Sequence, residues 1–374
     1  MNVSFIFPCL NEEETLAYCI NEVKESLDQD QTLKYEIIVA NNGSTDTSVN
    51  IAEASGARVV NVPERGYGSA ITGGIKAAKG EYVIFADADG SYRLNETSQL
   101  YKATVENSAD MGIASRMLGT IETGAMPFLH KYLGTPILTL LINLFFKGKL
   151  SDCNSGFRCI KKETFLSWNI RGTGMEFASE LLIKALKNRS EIIEIPSGLK
   201  QDLRKRAPHL RTWRDGMRHL LFILSEKPQF MEILGLFIII LASILQLVAL
   251  FIGPSIMYSF NLFDYHTHAL CLFIVGMGVQ LYLLGCYIYV HSEEKPLKIT
   301  RKLLSMDEGS LFFTLLLTFS FTILSIIIIF VIWSNSSYGN LQIINPFLVL
   351  VHFILLIGFL SIGLLGIHIM KKVG

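Results

Sequence analysis

The chain has 374 residues, half of them hydrophobic, and a mean hydropathy of +0.40. That is too apolar for an ordinary soluble protein and points to a membrane class. Its 33 basic and 33 acidic residues cancel, and with no basic surplus and no binding motif, nucleic acid is excluded as an expected partner.

From residue 1 to about 200, strand-like and helix-like segments alternate. Apolar runs rich in Val, Ile and Phe predict strands at 3–8, 35–40, 58–62, 82–86 and 111–115. Helical patterns fall between them at 13–26, 47–54, 69–78 and 96–105. Strict alternation of this kind implies a mostly parallel sheet covered on both faces. The opening strand runs into the polar Asn11-Glu12-Glu13-Glu14, which is no secretory signal. Six cysteines lie without a CxxC or zinc spacing, and they read as reduced and structural in a cytosolic domain.

Segment 136–146 is apolar but too short to span a bilayer, and it is flanked by His130, Lys131, Lys147 and Lys149. It reads either as an interfacial amphipathic helix or as a core helix. A basic loop follows later, Lys200-Gln201-Asp202-Leu203-Arg204-Lys205-Arg206. Residues 210–226 then carry Arg211, Arg214 and Arg218 at helical spacing beside Trp213, a pattern suited to anionic headgroups. Four apolar segments follow at about 231–252, 269–290, 311–333 and 346–370. Each can cross a hydrocarbon core of about 30 Å. Loops 253–268 and 334–345 have no Lys or Arg, whereas 291–310 holds Lys295, Lys298, Arg301 and Lys302. The positive-inside rule therefore places both termini in the cytoplasm. The expected division is a catalytic domain over 1–200, a basic loop and juxtamembrane helix over 201–230, and a membrane domain over 231–374.

Chemistry gathers where the strands run out. Asp87-Ala88-Asp89 follows the fourth strand. In open α/β sheets ligands bind beyond the carboxyl ends of strands. Two aspartates one residue apart can hold a hard divalent ion, Mg²⁺ or Mn²⁺, and leave positions for phosphate oxygens. A solvated turn is the ordinary explanation of Asp-x-Asp alone. Here two further polar turns share its sheet edge, Pro8-Cys9-Leu10-Asn11-Glu12-Glu13 and Asn41-Asn42-Gly43-Ser44-Thr45-Asp46. Both also read as helix caps. The second is suited to hydrogen-bonding a base and ribose.

With these three motifs in order, residues 1–230 resemble the family 2 glycosyltransferases of GT-A fold. They are most similar to dolichyl-phosphate mannose synthases and bacterial polyprenyl-phosphate glycosyltransferases. The resemblance implies nucleotide-sugar contacts at Pro8, Asn11, Glu12, Asn41, Asp46, Asp87, Ala88 and Asp89, with Asp87 and Asp89 on the metal. Asn41-Asn42 departs from the family, which usually has at least one aspartate there; an amide still donates and accepts. Ser115-Arg116 and Asp152-Cys153-Asn154-Ser155-Gly156-Phe157-Arg158 match its acceptor-side motifs, and Gly174–Glu180 (Gly174-Met175-Glu176-Phe177-Ala178-Ser179-Glu180) matches the acidic helix after them.

The implied catalytic residues are Asp89, Asp152 and Arg116, with Asp152 as general base or orienting group. Arg116, Arg158, Arg204, Lys205 and Arg206 are the expected acceptor-phosphate ligands. The implied reaction is inverting transfer of a hexose from a nucleotide diphosphate sugar, of UDP-glucose or GDP-mannose type, to a polyprenyl phosphate. Membrane lipid is an expected partner, and homo-oligomers are compatible with the sequence. Two alternatives stay open: a processive polysaccharide synthase, whose usual Gln-x-x-Arg-Trp motif is missing here, and a non-catalytic membrane scaffold or flippase.

Overall fold

The computed structural model describes residues 1–204, 212–257, 260–292, 294–335 and 344–373. The chain divides into two compact units, Met1–Ile223 and Leu224–Gly374.

The first unit is built on a seven-stranded sheet: β1 (Val3–Cys9), β2 (Tyr35–Asn41), β3 (Arg58–Asn61), β4 (Tyr82–Phe85), β5 (Met111–Ser115), β6 (Arg158–Lys161) and β7 (Ile192–Pro196). Their spatial order is β3-β2-β1-β4-β6-β5-β7. All neighbours are parallel except β6, which runs antiparallel to both β4 and β5. The five strands legible as apolar runs are all present. β6 enters between β4 and β5 and separates two strands adjacent in the alternating pattern, and β7 was not foreseen.

Side chains leave a strand on alternate faces, and the core divides accordingly. Val3, Phe5, Phe7, Ile37, Val39 and Ile84 pack under Leu16, Ile20, Val23 and Leu27 of helix Leu16–Leu27. Ile6, Ile38, Val83, Phe85, Met111 and Ile113 face the other way, against Ile71 and Ile75 of helix Tyr67–Ala77 and Phe177 and Leu181 of helix Phe177–Lys187. Both faces of the central strands are therefore buried, which is why they read as unbroken apolar runs. Cys9 pairs with Asn41 and Ile6 with Phe85, so β1, β2 and β4 end along one edge. That register brings the three polar turns together.

Segment 136–146 is a helix with one buried and one exposed apolar side. Helix Thr135–Phe146 buries Leu138, Thr139 and Ile142 and leaves Leu140 and Leu144 64% and 67% exposed. Before it, Phe128 and Tyr132 are exposed too, with ring centroids 4.7 Å apart. Helix Thr212–Ser225 buries Asp215, His219 and Ile223 and exposes Arg214, Met217, Arg218 and Leu221. Arg211 lies outside the described residues.

In the second unit four helices are long and apolar enough to cross a membrane: Pro228–Ile252, Tyr265–Tyr289, Glu308–Asn335 and Ile344–Lys371. The first two pack along a seam of small residues. A Cβ on Gly235 would stand 2.4 Å from Tyr282 N, and one on Gly278 3.0 Å from Ile239 N, so glycine is what allows this approach. Glu232 is fully buried beside the seam. Its carboxylate accepts from the Tyr289 hydroxyl at 2.7 Å and from Leu297 N at 3.0 Å. A carboxylate at the end of an apolar helix needs such donors.

Candidate active site

The first two turns are stitched into one frame. Asn11 takes a left-handed conformation (φ +61°). Its Oδ1 accepts from Thr45 N at 2.7 Å, while its own N–H donates to Ser44 Oγ at 3.0 Å. Glu12 N donates to Ser48 Oγ at 2.8 Å, and Glu13 N to Asp46 Oδ2 at 3.1 Å. Asp46 Oδ1 also accepts from Ser48 N, at the start of helix Ser48–Ala54. Asn11 and Asp46 thus shape this edge of the sheet before any ligand arrives. Pro8 stays inside β1, opposite Ala40.

The asparagine pair has a local reason. Asn42 Nδ2 donates to Val62 O at 3.0 Å and Glu64 O at 2.7 Å, and its Oδ1 accepts from Gly66 N at 2.8 Å. A carboxylate has no donor for either carbonyl. Asn41 accepts from Ser44 N and donates to Asn61 Oδ1. Both amides are committed to clasping loops.

Beyond β4, Ala88 O accepts from Thr15 Oγ1 and Asp89 Oδ1 accepts from Ser91 N and Oγ, which fixes the turn. Burial first, and then the charge of Asp89, push the Asp87 carboxyl up to about 7, against the pull of Tyr67, Arg204 and Arg116. Two oxygen-donor carboxylates that repel each other in a partly buried turn fit a hard divalent ion. Among the described residues no cluster of three or more His, Cys, Asp or Glu forms a metal site. Such an ion would therefore take its other ligands from phosphate or water. Gly156 makes the tight packing here possible: a Cβ would lie 2.9 Å from Asp87 Oδ2, 3.1 Å from Tyr92 Oη and 3.2 Å from Tyr67 Oη.

Arg116 and Asp152 form a bidentate pair, Nε to Oδ2 at 2.7 Å and Nη2 to Oδ1 at 2.8 Å. Arg116 N and Asn154 N each add a bond at 3.1 Å. Asp152 is fully buried. Burial raises its carboxyl, but Arg116 and these hydrogen bonds outweigh that and hold it below the usual range. A carboxylate so engaged is a poor proton acceptor, so of its two expected roles the geometry favours orientation over general base. Arg116 Nη1 makes no hydrogen bond among the described residues, and Arg116 lines a cavity.

Two expected phosphate ligands are placed differently. Arg158 is 1% exposed and donates to the carbonyls of Ser155, Ala178 and Cys153 at 2.8, 3.1 and 2.8 Å. With Nε, Nη1 and Nη2 all used on backbone, it staples the 152–158 loop to helix Phe177–Lys187. Arg204 lies among carboxylates: Asp202 at 2.6 Å, Asp89 at 3.2 Å and Glu12 at 3.3 Å. It is tied to the acidic turns beyond β1 and β4. Lys205 and Arg206 lie outside the described residues. Glu180 caps a turn, accepting from Arg171 N and Gly172 N, and Glu176 accepts from Gly174 N.

The cavity has a volume of about 360 Å³. Asp87, Tyr67, Tyr92, Arg116 and Asn154 line it together with Met126, Leu129, Leu133, Ile137, Leu138, Met217 and Leu220. Its wall also includes residues that sequence reasoning missed. Tyr67 and Tyr92 carry no motif signal. Asp215 and His219 stand one helical turn apart on the buried face of Thr212–Ser225, a spacing visible only once that face is known.

His219 Nδ1 meets Ser179 Oγ at 2.8 Å, and burial pushes the imidazole from 6.5 down to about 4. Between those values the unfolded chain binds a proton that the native chain does not, so stability falls as pH drops through this window. The full effect is on the order of 3 kcal/mol. His219→Gln is expected to flatten the fall in unfolding midpoint between pH 6.5 and 4.5. An unchanged slope would show that the imidazole is not the titrating group.

The comparisons with known proteins agree with this geometry. Glycosyl transferase family 2 matches residues 4–166. The low-salt glycan biosynthesis hexosyltransferase Agl6 of Haloferax volcanii is 33% identical over 291 residues, 78% of this chain and 69% of that one. A dolichol-phosphate mannosyltransferase of Pyrococcus furiosus is 28% identical over 202 residues, 52% of this chain and 56% of its own length. Among solved structures, glucosyl-3-phosphoglycerate synthase from Mycobacterium tuberculosis, in complex with Mn²⁺, UDP and glucosyl-3-phosphoglycerate, superposes with a TM-score of 0.48 at 22% identity, covering 60% of this chain and 79% of that one. The family match and the mostly parallel sheet together mark a glycosyltransferase of GT-A fold. The chain belongs to glycosyltransferase family 2.

Proposed function

We propose that this glycosyltransferase moves a hexose from a nucleotide diphosphate sugar, of UDP-glucose or GDP-mannose type, to a polyprenyl phosphate with inversion. One observation carries the reading: a single cavity joins a guanidinium and an aspartate turn to a wall of Leu, Ile and Met. A phosphate on a long apolar chain is the ligand class that needs both ends. The relatives from Haloferax and Pyrococcus, a hexosyltransferase and a dolichol-phosphate mannosyltransferase by name, support it.

Asp87 and Asp89 would hold a divalent ion, Mg²⁺ or Mn²⁺, against the donor diphosphate; when bound, that ion supplies charge neutralisation for the leaving group. Arg116, fixed by Asp152, turns Nη1 to the acceptor phosphate. An acceptor oxygen attacks the anomeric carbon from the face opposite the diphosphate. The old carbon–oxygen bond breaks, and its electron pair leaves with the nucleotide. Phosphate monoesters have a second pKa of about 6, so the acceptor is already an anion near neutral pH. Proton abstraction is not needed, which agrees with an ion-paired Asp152.

Membrane attachment follows the same reading. Phe128, Tyr132, Leu140 and Leu144 are exposed apolar side chains, and Met217 and Leu221 are exposed on the same helix as Arg214 and Arg218. These side chains suit the headgroup boundary of an anionic bilayer. With four spans, the positive-inside rule predicts 253–268 and 334–345 outside the cytoplasm, with the first unit, 291–310 and the tail inside. Single cysteines at 298 and 266 are expected to label from the cytoplasmic and outer sides respectively; the reverse pattern overturns this topology.

The activity is tested by incubating membranes containing the protein with labelled UDP-glucose or GDP-mannose and a polyprenyl phosphate. Label should pass to a solvent-extractable lipid monophosphate sugar. Label in an insoluble polymer instead would favour a polysaccharide synthase, and no transfer from a wider donor panel would end the proposal.

A further inference from the structure

Residues 199–204 form a strap across the Asp87-Ala88-Asp89 turn. Lys200 N donates to Ser91 O at 2.7 Å, and Leu203 N to Asp89 O at 3.1 Å. Leu203 lies directly over Gly90, where a Cβ would meet its Cδ1 at 2.7 Å. At the end of the strap the guanidinium of Arg204, 11% exposed, reaches carboxylates from two strand ends: Glu12 after β1 and Asp89 after β4. Asp202 aims it, accepting from Arg204 N at 2.8 Å, Nε at 3.0 Å and Nη2 at 2.6 Å.

This cation neutralises Asp89, one of the two carboxylates a divalent ion would use. Asp89 Oδ2 stands 3.2 Å from Arg204 Nη2. A second cation at that oxygen meets the guanidinium charge at close range, where like charges in a partly buried site repel strongly. At Asp89 Oδ2 the two cations therefore oppose each other.

We propose that Arg204, positioned by Asp202, is a built-in competitor of the divalent ion for Asp89, and that the 199–204 strap is released when Arg204 gives that carboxylate up. The inference rests on the donor-site reading above. It links two events: filling of the donor site frees a guanidinium, and with it the backbone bonds that Lys200 and Leu203 make to the turn. Asp202 is thereby a positioning residue acting through Arg204.

The test uses the full chain in detergent, without lipid acceptor. Mn²⁺ alone, and Mn²⁺ with UDP or GDP, are titrated into wild type, Arg204→Gln and Arg204→Lys by calorimetry, while hydrogen exchange follows the peptide covering 199–204. Arg204→Gln should bind Mn²⁺ about fivefold tighter, the order expected for losing one partly buried ion pair. Arg204→Lys, which keeps the charge, should stay close to wild type. The strap should exchange slowly in wild type without metal and faster once Mn²⁺ and nucleotide are added; in Arg204→Gln it should be fast from the outset. Unchanged or weaker Mn²⁺ binding by Arg204→Gln overturns the proposal. So does equal tightening in Arg204→Lys, or a strap that becomes more protected when the site fills. If wild type binds Mn²⁺ but neither nucleotide, the donor reading fails separately, and the Mn²⁺ titration still decides the competition.

Discussion

Asp89→Ala is expected to lower transfer by at least about a thousandfold, on the scale of removing an electrostatic group from the developing leaving-group charge. Folding should survive. The Asp89 side chain is 14% exposed, and among the described residues, apart from its ion pair with Arg204, it holds only the local bonds to Ser91. Losing those bonds costs about 1 kcal/mol. Turnover with labelled donor, read beside circular dichroism and thermal unfolding, checks both halves. Adding a chelator to wild type should reproduce the loss. Activity that persists above about a tenth of wild type in either experiment would remove the divalent ion from the reaction, since no single electrostatic group worth several kcal/mol would then be missing.

Asp152→Ala is expected to lose activity and stability together. The substitution removes four hydrogen bonds to Asp152 and leaves the Arg116 guanidinium, 13% exposed, without its partner. Breaking one side of a buried pair costs about 3–5 kcal/mol. For a unit of this size that is a fall of roughly 10 °C in unfolding midpoint. Asp152→Asn should lose less stability, because an amide still accepts from the backbone N–H groups and the guanidinium. If Asp152 were a general base, both variants would lose turnover with little change in midpoint, and the acid limb of the pH–rate profile would vanish. The ion pair predicts that Asp152 contributes no such limb near neutrality, so any limb set by the acceptor phosphate or Asp87 persists in both variants. The Asp152 carboxyl lies below the usual range, so the stability it adds is present above about pH 4 and is lost only as pH falls through its native value. Measuring the midpoint and the pH profile on the same preparations separates the two accounts.

Much of this protein was legible before its fold. The apolar runs at β1, β2, β4 and β5 mark themselves because strands buried on both faces admit few polar side chains. The four long apolar helices stand out for a related reason, since hydrocarbon tolerates so little charge. Asp87-Ala88-Asp89 was readable because its two carboxylates are neighbours in the chain, and β4 ends just before them. Features of this kind are local, and local features survive being written as a string.

What the tertiary structure decided depends on partners far apart in sequence. Arg158 and Arg116 look alike as arginines beside acceptor-side motifs. Only the packing buries the first among the carbonyls of Ser155, Ala178 and Cys153 and sets the second, paired with Asp152, in the cavity wall. Asp152 reads as a general base or an orienting group until Arg116, 36 residues away, is seen to grip both its oxygens. Arg204 reads as a phosphate ligand until Glu12 and Asp89, 192 and 115 residues away, are found around it. Sequence alone determined the alternating domain, the apolar spans and the position of the acidic turn, because hydrophobic burial is set by residue type and period. The charge of each site residue was equally plain. Which opposite charge it meets was not, because a side chain's electrostatic role is fixed by neighbours within a few ångströms, and those are chosen by sheet order and loop packing.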